Sequence, residues 1–252
     1  MSTEFKRVPA IEKCFGILDL LSKSNNPLGI SEISRALNYN KSTVFNIVRT
    51  LTDLGSLENN NNKFHLGVKL YLLGRAAEKG SEIIRFIHPY LEEINQETHL
   101  TAFLGMRSGL RAMIIDKAES AFHLKLSVDI GTRIPLVAGA HGLALLSQLS
   151  DPELTRILAQ SELRRFSPFS CMDKKTYTEM ARMVREEKIA IEREEYIEGI
   201  RALAVPLNIH RADLQIAIWA VGLKNQIKDE VIDSYSRFLK DIAKRIEDRF
   251  SL

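Results

Sequence analysis

The chain of 252 residues predicts an α+β protein in two parts. Residues 1–66 read as a winged helix-turn-helix, residues 67–80 as a linker helix, and residues 81–252 as a larger domain around an antiparallel sheet. Three observations carry that reading. Residues 29–49 follow a helix, polar turn, helix pattern; a strand, Asn run, strand pattern comes directly after; and beyond residue 81, segments of two-residue periodicity are enclosed by amphipathic helices.

Taken in order, Ile11, Phe15, Leu18 and Leu21 place an amphipathic helix ahead of the motif, suited to packing across the helix pair. The first motif helix is expected to start at Ser31, a good N-cap, and to bury Ile33, Ala36 and Leu37. Asn38, Tyr39 and Asn40 break the pattern, because Asn tolerates turn geometry and competes for backbone hydrogen bonds. The second helix buries Val44, Ile47, Val48 and Leu51, which turns Lys41, Ser42, Thr43, Asn46 and Arg49 outward. These side chains suit phosphates and base edges, and the first of them sit where a recognition helix meets the major groove. Ser31 and Phe45 complete the candidate DNA-contacting set on the two helices.

Gly55 is the stop signal of the second helix. Residues 56–58 and 63–66 then read as strands joined through 59–62, four Asn able to take the positive φ of a hairpin turn. Asn60, Asn61 and Lys63 at the wing tip are placed to reach the DNA backbone or the minor groove. An ordinary helical hairpin with a solvated face is the alternative for residues 29–49; the flanking helix and ribbon favour the DNA-binding reading.

Charge is distributed accordingly. Residues 1–80 hold 11 Lys and Arg against 7 Asp and Glu, while the rest of the chain holds 24 against 25, so the positive excess sits on the DNA-binding candidate. An apolar content of 45 % with 27 % charged residues describes a globular chain. The only cysteines are Cys14, expected to be a small buried hydrophobe, and Cys171; no disulfide framework follows from two such residues. The first nine residues lack a signal-peptide core, and no stretch approaches the roughly 20 apolar residues of a membrane span, so a cytoplasmic protein with no membrane partner is expected.

Residues 67–80 form a short, unusually apolar helix, with Leu70, Leu73 and Ala77 on one side and Val68, Tyr71 and Leu72 beside them. It either packs on its own head or pairs with its copy in a dimer. From residue 81, Ile83, Ile84, Ile87, Leu91 and Ile94 mark a helix to about Thr98, with a possible kink at His88-Pro89. Strands are expected over 100–106 and 111–116 around Ser108-Gly109, and over 122–128. Pro135 makes 133–138 unsuited to a central strand. Helices follow over 141–148, 151–159 and 174–188, the last burying Tyr177, Met180 and Val184. Strands over 200–207 and 214–221 flank a polar hairpin at 210–213, and a long helix over 228–250 closes the chain.

Enzymatic chemistry finds little support. The six His show no metal-motif spacing, and P-loop, dinucleotide and nucleophile-elbow patterns are absent, so no catalytic residue, metal or cofactor is expected. His123 and Asp116 could meet on adjacent strands but have no evident nucleophile. Glu192, Glu194, Glu195 and Glu198 read mostly as a solvated acidic run.

Several stretches resemble the IclR family of bacterial transcriptional regulators: VPAIEKCFGILDLLS, ISEISRALNYNKSTVFNIVRTLTDLG, KFHLGVKLYLLG, and, further on, IIDKAES, DIGTRIPL, AGAHGLALLSQL and EREEYIEGIRALAVPL. Their order spans nearly the whole chain. The resemblance implies a GAF-like effector-binding domain after the linker helix. It also implies homodimers or homotetramers on a double-stranded DNA operator, regulated by a small organic metabolite, with repression favoured over activation. A regulator controlled by a protein partner, or an enzyme in the second domain, are the alternatives.

By the same resemblance the effector pocket falls on Leu126, Ala140, His141, Gly142, Glu192, Ile200, Ala202, Trp219 and Val221. The family commonly has small or polar residues at His141, Trp219 and Val221, Cys at Ala202, Asp at Glu192, and a basic residue at Asn46. Trp219 favours a planar ligand, and an aromatic or other small carboxylic acid is expected, its carboxylate received by His141 and the backbone amides that open the helix there. Glu192 is expected to bind a hydroxyl or to stay protonated.

Overall fold

The computed structural model describes residues 8–79, 82–119, 128–209 and 214–250. They fall in two compact units, residues 1–82 and 83–252.

The first unit contains α1 (Pro9–Lys23), β1 (Leu28–Gly29), α2 (Ile30–Leu37), α3 (Lys41–Asp53), β2 (Leu57–Asn60), β3 (Lys63–Leu66) and α4 (Val68–Lys79). Ile17, Leu21, Ile33, Val44, Val48, Leu51, Leu57 and Phe64 form its core. Asn38 ends α2 in the left-handed conformation (φ 53°), which a short polar side chain tolerates. Gly55 ends α3 at φ 72°, and the Ser56 amide reaches back to the Leu51 carbonyl at 2.8 Å. Asn61 and Asn62, at φ 52° and 59°, make the two-residue turn between β2 and β3. The expected turn over 59–62 is therefore shorter, with Asn59 and Asn60 paired in the ribbon.

Three expectations fail here. Ser31 is not an N-cap: α2 begins one residue earlier, capped by Gly29, whose N–H donates to the Glu32 carboxylate at 2.7 Å. Ala36 is exposed, and so are Ile11 and Phe15, because α1 turns Ile17 and Leu21 inward instead. The two-residue strand β1, paired with β3, carries no periodicity that a sequence could display.

The second unit contains α5 (Glu82–Thr98), β4 (Thr101–Ser108), β5 (Arg111–Ala118), β6 (Arg133–Pro135), α6 (Gly139–Leu146), α7 (Asp151–Gln160), α8 (Lys174–Glu187), β7 (Ala190–Arg193), β8 (Ile200–Leu207), β9 (Ile216–Leu223) and α9 (Asp229–Phe250). The strands form one antiparallel sheet in the order β6-β5-β4-β9-β8-β7. Pro135 sits on the edge strand, where its missing N–H costs no ladder bond. The α5 helix runs through Pro89. The 133–138 segment thus includes a short strand, and β7 was not expected at all. Leu126, His123, all but the last residue of the strand expected over 122–128, and the 210–213 hairpin lie outside the described residues.

Two cores lie on opposite faces of this sheet. One joins Ile87, Leu91 and Ile94 of α5 to Leu239, Ile242 and Ile246 of α9, over Leu104, Leu203, Val205 and Ile218. The other joins α6, α7 and α8 to a floor of small residues, Ala112, Ala190, Ala202, Ala204 and Ala217. That small-residue floor leaves volume above it, and Trp219 fills it. Phe103 stands opposite Trp219 and Gly105 opposite Ala217, so the indole leans along the sheet over Gly105 and stacks on Phe103 at 5.9 Å.

A Cβ at Gly105 would collide with the Trp219 ring and press on the Met113 carbonyl. Gly105→Ala should therefore destabilise the protein by about 2–3 kcal/mol in chemical denaturation. Combined with Trp219→Leu, it should cost clearly less than the sum of the single changes, since the collision is then removed. Strict additivity in this cycle would show that the indole does not lie over Gly105.

Candidate functional site

The first unit presents one polar face. Lys41, Ser42, Asn46 and Arg49 on α3 are exposed and Thr43 is half-buried, because Val44, Val48 and Leu51 face the core. Phe45 is also exposed, at 45 %, and the Arg49 guanidinium lies 5.6 Å from its ring centre. At the wing, Asn60, Asn61 and Lys63 are exposed, and Lys63 Nζ lies 3.7 Å from the Glu32 carboxylate. Ser31 is exposed on α2.

The second unit holds a buried polar cluster where α6 begins above the small-residue floor. Glu192 on β7 pairs in register with Ala202, and Ala202 with Val221, so these three expected pocket residues form one row across the sheet. Ile200 shares that face two residues from Ala202. Trp219 is in the next row, opposite Ala204. Ala140, His141 and Gly142 all lie in the first turn of α6 and are buried.

Glu192 is only 4 % exposed, and its carboxylate has two backbone donors: Ala140 N–H to Oε2 at 3.2 Å and Tyr196 N–H to Oε1 at 2.9 Å. Burial outweighs those donors and pushes its pKa up to about 7. Gly139 makes the approach possible: at φ 59°, it carries no Cβ where one would stand 2.5 Å from Glu192 Oε2. The acidic run is therefore not mainly a solvated surface. Glu194 is also buried and pairs with Lys224 Nζ at 2.7 Å.

His141 is buried, and burial lowers its pKa to about 4, so the ring is neutral at physiological pH. Its Nε2 stands 2.8 Å from the Pro135 carbonyl, which can only accept; the proton is on Nε2 and Nδ1 is left as an acceptor. The ring packs against Trp219 at 5.5 Å and Tyr196 at 5.8 Å, and Tyr196 against Phe166 at 5.0 Å. An aromatic ladder thus runs from the sheet to the loop at 161–173. That loop is held to the turn after β7 by Ser167 and Ser170, whose hydroxyls both donate to the Glu195 carbonyl, at 3.1 and 2.7 Å.

Beneath this clasp is a cavity of about 20 Å³, room for one water. Gly139, Leu143, Ser170, Cys171, Tyr177 and Glu195 are among the residues that line it. The Tyr177 hydroxyl is buried without a hydrogen-bond partner among the described residues. Tyr177 had a sequence signal only as an inner-face residue of its helix, and Tyr196, Glu195 and Phe166 had none, since they join the site through irregular segments. Asp116 bonds to His88 Nδ1 at 2.8 Å; His123, weighed as its partner, lies outside the described residues.

The raised pKa of Glu192 has a stability consequence. The folded carboxyl keeps its proton to about pH 7, whereas its reference value is 4.5; the stability conferred by that proton is fully present below pH 4.5 and lost as the pH rises through 7. Glu192→Gln should match the parent near pH 4.5 and exceed its unfolding free energy by about 3 kcal/mol at pH 8. His141, present in both proteins, cancels from the comparison. A difference that does not change with pH would mean that Glu192 ionises normally.

Comparison with known proteins supplies the frame for both surfaces. Residues 10–60 match the IclR helix-turn-helix domain, and residues 76–248 match the bacterial transcriptional regulator IclR C-terminal domain. The chain is 27 % identical to the HTH-type transcriptional regulator XynR of Escherichia coli K12 over 235 residues, covering 92 % of this chain and 93 % of that one. It is 25 % identical to the HTH-type transcriptional repressor AllR of Salmonella typhimurium LT2 over 252 residues, covering 99 % and 93 %. Its fold matches the crystal structure of an IclR homologue from Microbacterium hydrocarbonoxydans complexed with 4-hydroxybenzoate, with a TM-score of 0.79 at 20 % identity over 96 % of this chain and 99 % of that one. With both domain matches in sequence and most of its length inside them, the chain belongs to the IclR family of bacterial transcriptional regulators.

Proposed function

We propose that the chain is a repressor that acts as a homodimer or homotetramer, binds operator DNA through α3, and answers to a small organic acid held where α6 begins. The observation that carries this reading is the division of α3 into a stripe of buried Val44, Val48 and Leu51 with half-buried Ile47, and a polar face left open to solvent. Lys41 and Arg49 neutralise phosphates; Thr43 and Asn46 reach base edges; Phe45, beside Arg49, offers an apolar contact suited to a thymine methyl. Asn60, Asn61 and Lys63 reach the flanking backbone.

The oligomer is supported by α4. Val68, Tyr71, Leu72 and Leu73 are each more than half exposed on one short helix, an apolar surface that a second copy would cover. Two heads in one particle also raise operator affinity through effective concentration. A small acid as effector is supported by the aromatic ladder and by the 4-hydroxybenzoate that the Microbacterium relative binds. The pocket residues are Ala140, His141, Gly142, Glu192, Ile200, Ala202, Trp219 and Val221, together with Leu126. The protein is a cytoplasmic, non-enzymatic regulator in this reading. Among the described residues, no helix is long and apolar enough to cross a membrane.

Operator titrations over a range of salt test the DNA surface. Lys41→Ala and Arg49→Ala should each flatten the slope of log K against log salt by about one unit, with no change of preferred sequence. Asn46→Ala and Phe45→Ala should alter the sequence selected from random DNA. Unchanged affinity, slope and sequence in all four variants would remove α3 from the interface.

A further inference from the structure

The first turn of a helix is where an effector's carboxylate would find backbone donors. In this chain a side chain of its own already occupies that place. Glu192 Oε2 accepts from the Ala140 amide, Oε1 accepts from the Tyr196 amide, and Gly139 takes a positive φ that leaves room for the carboxylate. A second feature shows that the site has an unfilled demand. The Tyr177 hydroxyl is buried beside the same turn with no partner among the described residues, and Tyr177 lines a cavity of about 20 Å³ there. Space for a metabolite against the α6 turn itself therefore requires something to leave, and Glu192 is the group whose departure frees both volume and a donor.

We propose that Glu192 is an internal competitor for the effector: a carboxylate ligand binds by taking the Ala140 amide from it. The proposal rests on the reading of this pocket as the effector site and adds how the site is regulated. Displacing Glu192 also withdraws the acceptor of the Tyr196 amide. Tyr196 belongs to the turn whose Glu195 carbonyl holds Ser167 and Ser170, so the exchange loosens the clasp over the cavity. Ligand entry and release of the 161–173 loop become one event.

The charged and titratable groups around Glu192 set the pH behaviour. His141 faces it from α6 and stays neutral above about pH 4. Tyr177 faces it from α8, with its pKa pushed further up by burial. Glu195 and Tyr196 face it from the turn after β7, both raised by burial. Cys171 and Arg164 come from the 161–173 loop at the cavity wall. Within this set Glu192 is the group that directly holds the Ala140 amide, and its protonation weakens that hold. A carboxylate ligand should compete better below pH 7 than above it.

The test uses acetate as probe, because Glu192→Ala removes a group of acetate's size and charge. Binding to the full-length protein is followed by thermal shift and by the fluorescence of Trp219, the only Trp. At pH 8, Glu192→Ala should bind acetate about tenfold more tightly than the parent, a difference of one charge-assisted hydrogen bond. Glu192→Gln, nearly isosteric and uncharged, should fall between them and keeps the test open if the alanine variant folds poorly. The parent should bind more tightly at pH 6 than at pH 8, and Glu192→Gln, which retains Glu195, should not. Acetamide should bind Glu192→Ala at least about tenfold more weakly than acetate does. The proposal is overturned if both variants bind acetate no better than the parent, or if acetamide binds as well as acetate. Operator affinity measured alongside separates the two layers: acetate bound by Glu192→Ala with no effect on operator affinity would leave the competition standing and remove the pocket's role as effector site.

Discussion

A carboxylate buried on an apolar sheet costs several kcal/mol unless donors are brought to it, and the architecture around Glu192 is largely the supply of those donors. The α6 helix starts above β7 with its Ala140 amide aimed at one oxygen. The chain after β7 doubles back so that the Tyr196 amide meets the other. Gly139 suits the turn on two counts: its φ is positive, and any Cβ there would crowd the carboxylate. Each of these is a backbone feature, so among the described residues the constraint is met by the path of the chain and not by a neighbouring cation. The incomplete compensation appears as a carboxyl that ionises only near pH 7.

The same economy explains the apolar half of the site. A floor of Ala residues on β5, β7, β8 and β9, with Gly105 on β4, leaves a void that the helices α6 and α8 cannot fill alone. Trp219 fills it, supported by Phe103 below and His141 above. The cost is that the protein's own side chains take up the space over the floor. A regulator gains from that arrangement. A ligand shifts an equilibrium only by its differential affinity for two states, and a state closed by the protein's own indole and carboxylate differs sharply from one opened by a guest.

Much of the first unit was legible in the sequence because its signals are local. Asn38 and the Asn61-Asn62 pair announce left-handed turns, Gly55 announces a helix end, and α3 shows its buried stripe at helical spacing. What failed was also local but weaker: Ser31 outranks Gly29 as a cap by propensity, yet Glu32 stabilises the earlier start through the Gly29 amide. In the second unit the strands with alternating or continuous apolar runs were legible, whereas β7, four residues long and acidic, was not. Ala202 of the site's floor came from family resemblance. The clasp did not, because Tyr196, Glu195 and the Ser167–Ser170 pair meet through loops whose geometry leaves no periodic trace. The burial of Glu192 and Glu194 was masked by their two exposed-looking neighbours in an acidic run.

The most direct measurement is the pH dependence of the Ala140 backbone amide by proton–nitrogen NMR of the intact protein. Its proton should lie downfield at pH 8, bonded to an ionised carboxylate, and move upfield as the pH falls through about 7, following the ionisation of Glu192. The shift should vanish in Glu192→Gln. An Ala140 amide that is indifferent to pH between about 5 and 9, or that titrates identically in the variant, would contradict the account, because Glu192 would then not be the group that holds the start of α6.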